Sequence, residues 1–116
     1  MAQRPPALVA LLAAGLAVSV PVALAQQPAP AGDAKAAHKK IAMCEGCHGI
    51  PGYRTAYPDV YPVPKLGGQQ PGYLMKALQA YKSGQRSHPS MRGIAADLSE
   101  QDMADLAAYY GGAATK

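Results

Sequence analysis

The sequence contains no tryptophan and no phenylalanine, and only two of its 116 residues are cysteine. Tyrosine and aliphatic side chains must therefore build any core, and a core of that kind in so short a chain is thin. A long uninterrupted hydrophobic run is also missing. Residues 7–24 are rich in Ala, Leu and Val, but Gly15, Ser19 and Pro21 interrupt them, whereas a membrane-spanning helix needs about 20 continuous apolar residues. Met1 to Arg4 gives a short positive start, and Ala23-Leu24-Ala25 supplies the small-x-small pattern of a cleavage site. Residues 1–25 thus read as a cleavable signal peptide, with Gln26 as the new N-terminus. That places the mature chain outside the cytoplasm, in the periplasm, with no stable membrane insertion.

Acidic charge is scarce and unevenly placed. Seven Asp and Glu stand against eleven Lys and Arg. Residues 34–92 hold nine basic residues and two acidic ones, Glu45 and Asp59, while Asp97, Glu100, Asp102 and Asp105 crowd the last stretch. A basic body can steer association with an acidic protein partner; an ordinary solvated surface explains the same numbers equally well. Nucleic-acid binding is disfavoured, because no recognised motif is present and the basic residues are spread thinly.

Residues 26–33 are Pro- and Ala-rich and read as a flexible leader to a single domain over 34–112, followed by a short tail, 113–116. Asp33 suits the N-cap of a first helix over 34–43, which puts the cysteines at that helix's end. Residues 50–68 contain four prolines, three tyrosines and three glycines. They exclude a long helix and lack the alternation of a convincing strand. A loop of this length is expected only where it serves a function, such as wrapping a ligand. A second helix runs from Pro71 to Ser83 with Gly84 as its left-handed stop, and Leu74, Ala77, Leu78 and Tyr81 share its apolar face. Residues 85–93 read as loop. A last helix follows Ser99, where Ser99-Glu100-Gln101-Asp102 resembles a capping box, and it buries Met103, Leu106, Ala107 and Tyr110 before Gly111-Gly112. The fold class is all-α: three main helices with long loops.

The chemistry sits at Cys44-Glu45-Gly46-Cys47-His48, a C-x-x-C-H run associated with covalent attachment of c-type haem. Two thiols three positions apart can add to the two vinyl groups of a porphyrin, and the next residue then lies where an imidazole can bind iron. Three alternatives compete. A thioredoxin-like pair needs a βαβ setting, which is not visible. Structural zinc usually takes four ligands in two separated pairs, and beyond this run the chain offers only His38 and His88. A plain disulfide leaves His48 without a role. For a second iron ligand the candidates are Met43, Met75, Met91 and Met103, with His38 and His88. Met43 adjoins Cys44 and would sit on the side of His48. Met75 and Met103 lie within helices, where Met more often fills a core. Met91 lies in the Pro- and Gly-containing loop and can fold over the opposite face of a ring; His88, three residues away, can compete with it or simply face solvent.

With these residues in hand, the chain resembles a class I cytochrome c of the small bacterial monohaem type, similar to a single domain of the cytochrome c4 group or to a cytochrome c553. The resemblance runs from about residue 34 to 110. It rests on the haem motif with Gly49, on Pro64-Lys65-Leu66-Gly67-Gly68-Gln69, on Tyr73-Leu74 with Ser83-Gly84-Gln85-Arg86, on Met91, and on the closing run from Leu98 to Tyr110. It implies one covalently attached haem c with its iron between His48 and Met91, Pro64 offering its carbonyl to the His48 ring, and Leu66 packed on the haem. It implies that the first and last helices cross, burying Ala37 and Ile41 against Leu106 and Tyr110. The expected function is one-electron transfer without catalysis, by a monomer or as the subunit of a larger oxidoreductase, with redox proteins as partners. Departures from the family pattern are the absence of an aromatic in the first helix and a longer Tyr- and Pro-rich stretch, 53–63. Arg54, Tyr57 and Tyr61 are candidates to meet the propionates there. Lys65, Arg86 and Arg92 are candidates for a basic docking ring.

Overall fold

Asp33 turns its carboxylate back on the backbone. Its Oδ1 accepts the Lys35 N–H at 2.8 Å, and its carbonyl accepts the Ala37 N–H at 3.3 Å. This computed structural model describes residues 28–57 and 60–112, so the expected signal peptide, the first leader residues and the tail 113–116 lie outside the described residues. A 3-10 turn, Ala36–Lys39, follows Asp33, and the first α-helix, α1, spans Ala42–His48. A single helix over 34–43 is therefore corrected to two pieces, with the C-x-x-C-H run inside the α-helix rather than beyond it. The break has a local cause: the Lys40 and Ile41 N–H groups both donate to the Ala37 carbonyl, at 2.7 and 3.0 Å. The α-helical ladder resumes where the Ile41 carbonyl takes the Glu45 amide at 2.9 Å.

The second helix, α2, spans Pro71–Ser83, with Pro71 in its first turn and Gly84 at φ 81° closing it. Both ends fall where the sequence puts them. The third, α3, spans Pro89–Ala96, where a loop is expected. Its start carries His88 in place of the usual Ser, Thr, Asp or Asn, while Pro89 at the first helical position supplies the pre-set φ of a helix start. The fourth, α4, spans Glu100–Gly112 and opens on the expected capping box. The Ser99 N–H donates to Asp102 Oδ2 at 3.0 Å, and the Asp102 N–H donates to Ser99 Oγ at 3.1 Å. Between α1 and α2 a minimal antiparallel pair joins β1, Arg54–Thr55, to β2, Tyr61–Pro62, with Arg54 opposite Pro62 and Thr55 opposite Tyr61. Two residues a strand leave the domain essentially all-α, with four α-helices among the described residues where three are expected.

The core lies where α4 crosses α2 and the 3-10 turn. Met103, Leu106, Ala107 and Tyr110 are buried with Leu74, Met75, Leu98 and Ala37, and Ile41 packs against them half-buried. The expected crossing of the chain's first and last helical segments is thus present. The end of the leader is fixed rather than flexible. The Asp33 N–H donates to Asp105 Oδ1 at 2.8 Å, and Gln101 Nε2 reaches both the Ala31 carbonyl and Asp105 Oδ1, each at 2.8 Å. Gly32 lies so close to the Ala104 carbonyl that a β-carbon would overlap it. Asp105 is thereby buried with its Oδ1 accepting two hydrogen bonds, the kind of pairing a buried carboxylate needs. Asp102 pairs with Lys40 at 3.6 Å and Glu100 accepts from Gln79 Nε2 at 2.6 Å. Three of the four late acids are therefore engaged locally, and the acidic stretch read from the sequence is not a free charged face.

Candidate haem site

Because Cys44 and Cys47 lie in one short helix, their side chains leave it one turn apart. Both are free thiols and half-buried. Burial pushes the Cys44 thiol up from its usual range, opposed by the neighbouring Tyr110 hydroxyl and assisted by the Glu45 charge. Burial also raises the Tyr110 phenol, with Cys44 the next contributor. The two groups are adjacent, yet the Tyr110 hydroxyl makes no hydrogen bond of good geometry and is an orphaned buried polar atom among the described residues.

Further along α1, the His48 ring is held from outside its helix. Its Nδ1 lies 2.7 Å from the Pro64 carbonyl oxygen. A carbonyl can only accept, so Nδ1 carries the proton, and a neutral ring then keeps its lone pair on Nε2. This is how metal-binding histidines are commonly oriented. Pro64 is itself fixed on both sides. Upstream stands the β1–β2 pair, extended by the Val63 N–H donating to the Tyr53 carbonyl at 3.0 Å. Downstream, Leu66 packs half-buried on the core, and the Gly68 N–H donates to the Tyr110 carbonyl at 2.9 Å. The irregular segment thus places one carbonyl opposite one imidazole.

Met91 stands in the first turn of α3, half-buried, not in a loop. Its N–H donates to His88 Nδ1 at 3.3 Å. His88 is not a plain exposed loop residue: it is half-buried, with Tyr61 at 5.4 Å and Tyr81 at 6.5 Å between ring centroids, both edge-on. Its Nδ1 lone pair is occupied by the Met91 amide, so that atom is not free to be a ligand while the cap is made. Met75 and Met103 are buried in the core as expected, and Met43 is exposed on α1. His38 is exposed and edge-on to Tyr109 at 5.2 Å. Among the candidates around the loop, Arg54 and Tyr61 belong to the β1–β2 pair and Tyr57 is the most open of the exposed large hydrophobic residues, at 85 %. Lys65, Arg86 and Arg92 are exposed, and the Arg86 guanidinium lies 4.7 Å over the Tyr81 ring. The capping role of His88 and the approach of Tyr110 to Cys44 were not read from the sequence. Pro89, directly after His88, was the one local signal for a helix start there.

These residues fit a covalently held haem. The thiols are unpaired, His48 presents Nε2, and Ile50, Tyr53, Val60, Tyr61 and Met43 are large apolar side chains left uncovered. The competing readings fit less well. No three His, Cys, Asp or Glu side chains gather as a metal site among the described residues, so structural zinc lacks a ligand set. No βαβ unit surrounds the cysteines among the described residues.

Comparison with known proteins agrees with the geometry. The profile of the family described as Cytochrome c matches residues 34–110. The chain is 45% identical over 80 residues to cytochrome c4 of Pseudomonas aeruginosa, covering 69% of this chain and 38% of that one. It is 43% identical over 83 residues to cytochrome c-554(548) of Halomonas halodenitrificans, covering 69% of this chain and 95% of that one. It is 40% identical over 65 residues to the thiosulfate dehydrogenase electron acceptor of Stutzerimonas stutzeri, covering 56% of this chain and 29% of that one. The chain therefore spans about two fifths of that cytochrome c4 and nearly the whole of the c-554(548) protein.

Proposed function

The chain belongs to the cytochrome c family, and from that premise we propose that it is a periplasmic one-electron shuttle whose haem iron is held between His48 and Met91. Haem-based electron transfer is the family's work, and its cofactor is covalently attached haem c with iron. When bound, that group supplies reversible one-electron chemistry at iron.

The observation that carries the reading is the His48–Pro64 bond of 2.7 Å. The carbonyl fixes the tautomer and the orientation of the ring, so Nε2 is presented without a reorganisation step. Cys44 and Cys47 would hold the macrocycle as thioethers, one turn apart on the same helix. Leu66 and the uncovered side chains of residues 50–61 would exclude water from it. Met91 would supply a thioether, which raises the potential relative to a second imidazole, and the engagement of His88 Nδ1 by the Met91 amide supports Met91 over His88 as that ligand. A carrier of this kind has no substrate to coordinate and is not an enzyme. Export through residues 1–25 is part of the proposal. No helix among the described residues is long and apolar enough to cross a membrane. Redox proteins are the expected partners, and the exposed Lys65, Arg86 and Arg92 would favour acidic ones.

A second reading, an electron-accepting subunit of a larger oxidoreductase, is favoured by the similarity to the thiosulfate dehydrogenase electron acceptor. The two share one site and differ only in partner, so co-purification from the source separates them. The ligand assignment is tested on the haem-loaded protein. The ferric form is expected to show the weak far-red band of thioether-bound iron, and the ferrous form to bind carbon monoxide slowly. Met91→Ala should abolish the band and open the site to carbon monoxide. Rapid binding by the unmodified protein, with no far-red band, would favour an open sixth position instead.

A further inference from the structure

Residues 61–64 form a short stretch that touches His48 at one end and, at the other, His88, whose ring holds the Met91 amide. At its C-terminal end the Pro64 carbonyl takes the His48 ring. At its N-terminal end Tyr61 packs edge-on against His88, with ring centroids 5.4 Å apart and planes at 68°. His88 also meets Tyr81 of α2 at 6.5 Å and 76°, and the Arg86 guanidinium lies over that same tyrosine. The imidazole is therefore wedged between the β-pair and α2, at the head of α3.

The head of a helix has N–H groups with no partner inside the helix. In α3, Pro89 has none to offer, the Arg92 N–H finds the His88 carbonyl at 2.8 Å, and the Met91 N–H finds His88 Nδ1 at 3.3 Å. The His88 backbone, at φ −159° and ψ 109°, is extended as an N-cap residue should be. A backbone N–H can only donate, so Nδ1 is the bare nitrogen of a neutral ring. The residue whose amide this cap holds is Met91 itself. Without the cap the first turn of an eight-residue helix is free to fray, and the side chain carried on that turn loses its position.

We propose that His88, wedged between Tyr61 and Tyr81, is a positioning residue that caps α3 at the Met91 amide and so holds the Met91 thioether where it can bind iron. The proposal rests on the reading of Met91 as the sixth ligand. Through residues 61–64 it also joins the two ligands mechanically, because the same stretch fixes the His48 ring. A histidine here does what a shorter capping residue does and adds two ring contacts that such a residue cannot make.

The test uses the haem-loaded full chain carrying His88→Ala, His88→Asn or His88→Gln. Asn caps well without filling the space between the tyrosines, whereas Gln fills more of it and caps poorly. The far-red ferric band, the midpoint potential and the fraction of ferrous protein open to carbon monoxide are measured beside thermal stability. His88→Ala should weaken the band, lower the potential and raise the open fraction roughly fivefold, the ratio set by the loss of one helix cap. His88→Asn should restore all three towards the native values, and His88→Gln should follow Ala. If the Ala variant does not accumulate with haem, the Asn and Gln pair carries the same contrast. A lower melting temperature with band, potential and carbon monoxide binding unchanged would overturn the proposal, as would Gln rescuing where Asn does not. Absence of the band from the unmodified protein would instead overturn the Met91 ligand reading, and the proposal with it.

Discussion

The domain has two unlike halves. In the helical half, α4 lies across α2 and the 3-10 turn, every large side chain of its inner face is buried, and its acids are engaged by Asp33, Gln101, Lys40, Ser99 and Gln79. In the loop half, residues 50–61 carry Ile50, Tyr53, Tyr57, Val60 and Tyr61 to the surface, with a two-residue strand pair as their regular structure. Apolar side chains left open beside a fixed imidazole and two free thiols are what a chain presents when part of its core is to be a bound group. The helical half is packed by its own side chains. The loop half would be covered by the haem.

That contrast can be broken most severely at the attachment points. Replacing both cysteines, Cys44→Ala with Cys47→Ala, should abolish covalent haem, as judged by extraction under denaturing conditions. Amide exchange should then accelerate through residues 50–68 far more than in α2 and α4. Equal acceleration in both halves would show that the helical half does not stand alone. A smaller effect comes from the core itself. Met103 is completely buried, and Met103→Ala should destabilise the haem-loaded protein by about 2–5 kcal/mol in denaturant unfolding. Its ferric absorption spectrum should stay native, since the lost contacts lie in the helical half.

The smallest effect is one of pH. The Ser99 amide and hydroxyl, with Lys40 beside them, hold the Asp102 carboxyl below the usual carboxylate range. A group whose folded value is depressed adds stability above its ordinary value, about pH 4. That stability is lost as pH falls through the lower folded value. Asp102→Asn should therefore flatten the fall in stability between neutral and acid pH, by at most about 1 kcal/mol because the group is well solvated. Thermal melts of the two proteins across that range would check it.

Much of the helical half was legible in the sequence because its signals are local. Pro71 and Gly84 bracket α2, Ser99 and Asp102 open α4, and the spacing of Met103, Leu106, Ala107 and Tyr110 marks the buried face. The C-x-x-C-H run was legible for the same reason, since its chemistry lies within five consecutive residues. The third helix was not: its cap is a histidine, which competes poorly with Ser or Asp as a start signal, and its ring is held by tyrosines from distant elements. The anchoring of the leader was hidden too, since Asp33 and Asp105 are far apart in sequence and meet only when α4 is in place.

By itself, then, the sequence determined α2 and α4, the thiol pair and the imidazole beside it, because helix periodicity and a five-residue motif need no knowledge of what lies across the fold. Only the tertiary structure decided which carbonyl orients His48, which side chain caps the helix bearing Met91, and which residues are left open for haem. His48 and Pro64 are 16 positions apart, the ring that caps α3 is held by Tyr61 and Tyr81 from other elements, and the open residues depend on which surfaces remain uncovered once α4 has crossed α2.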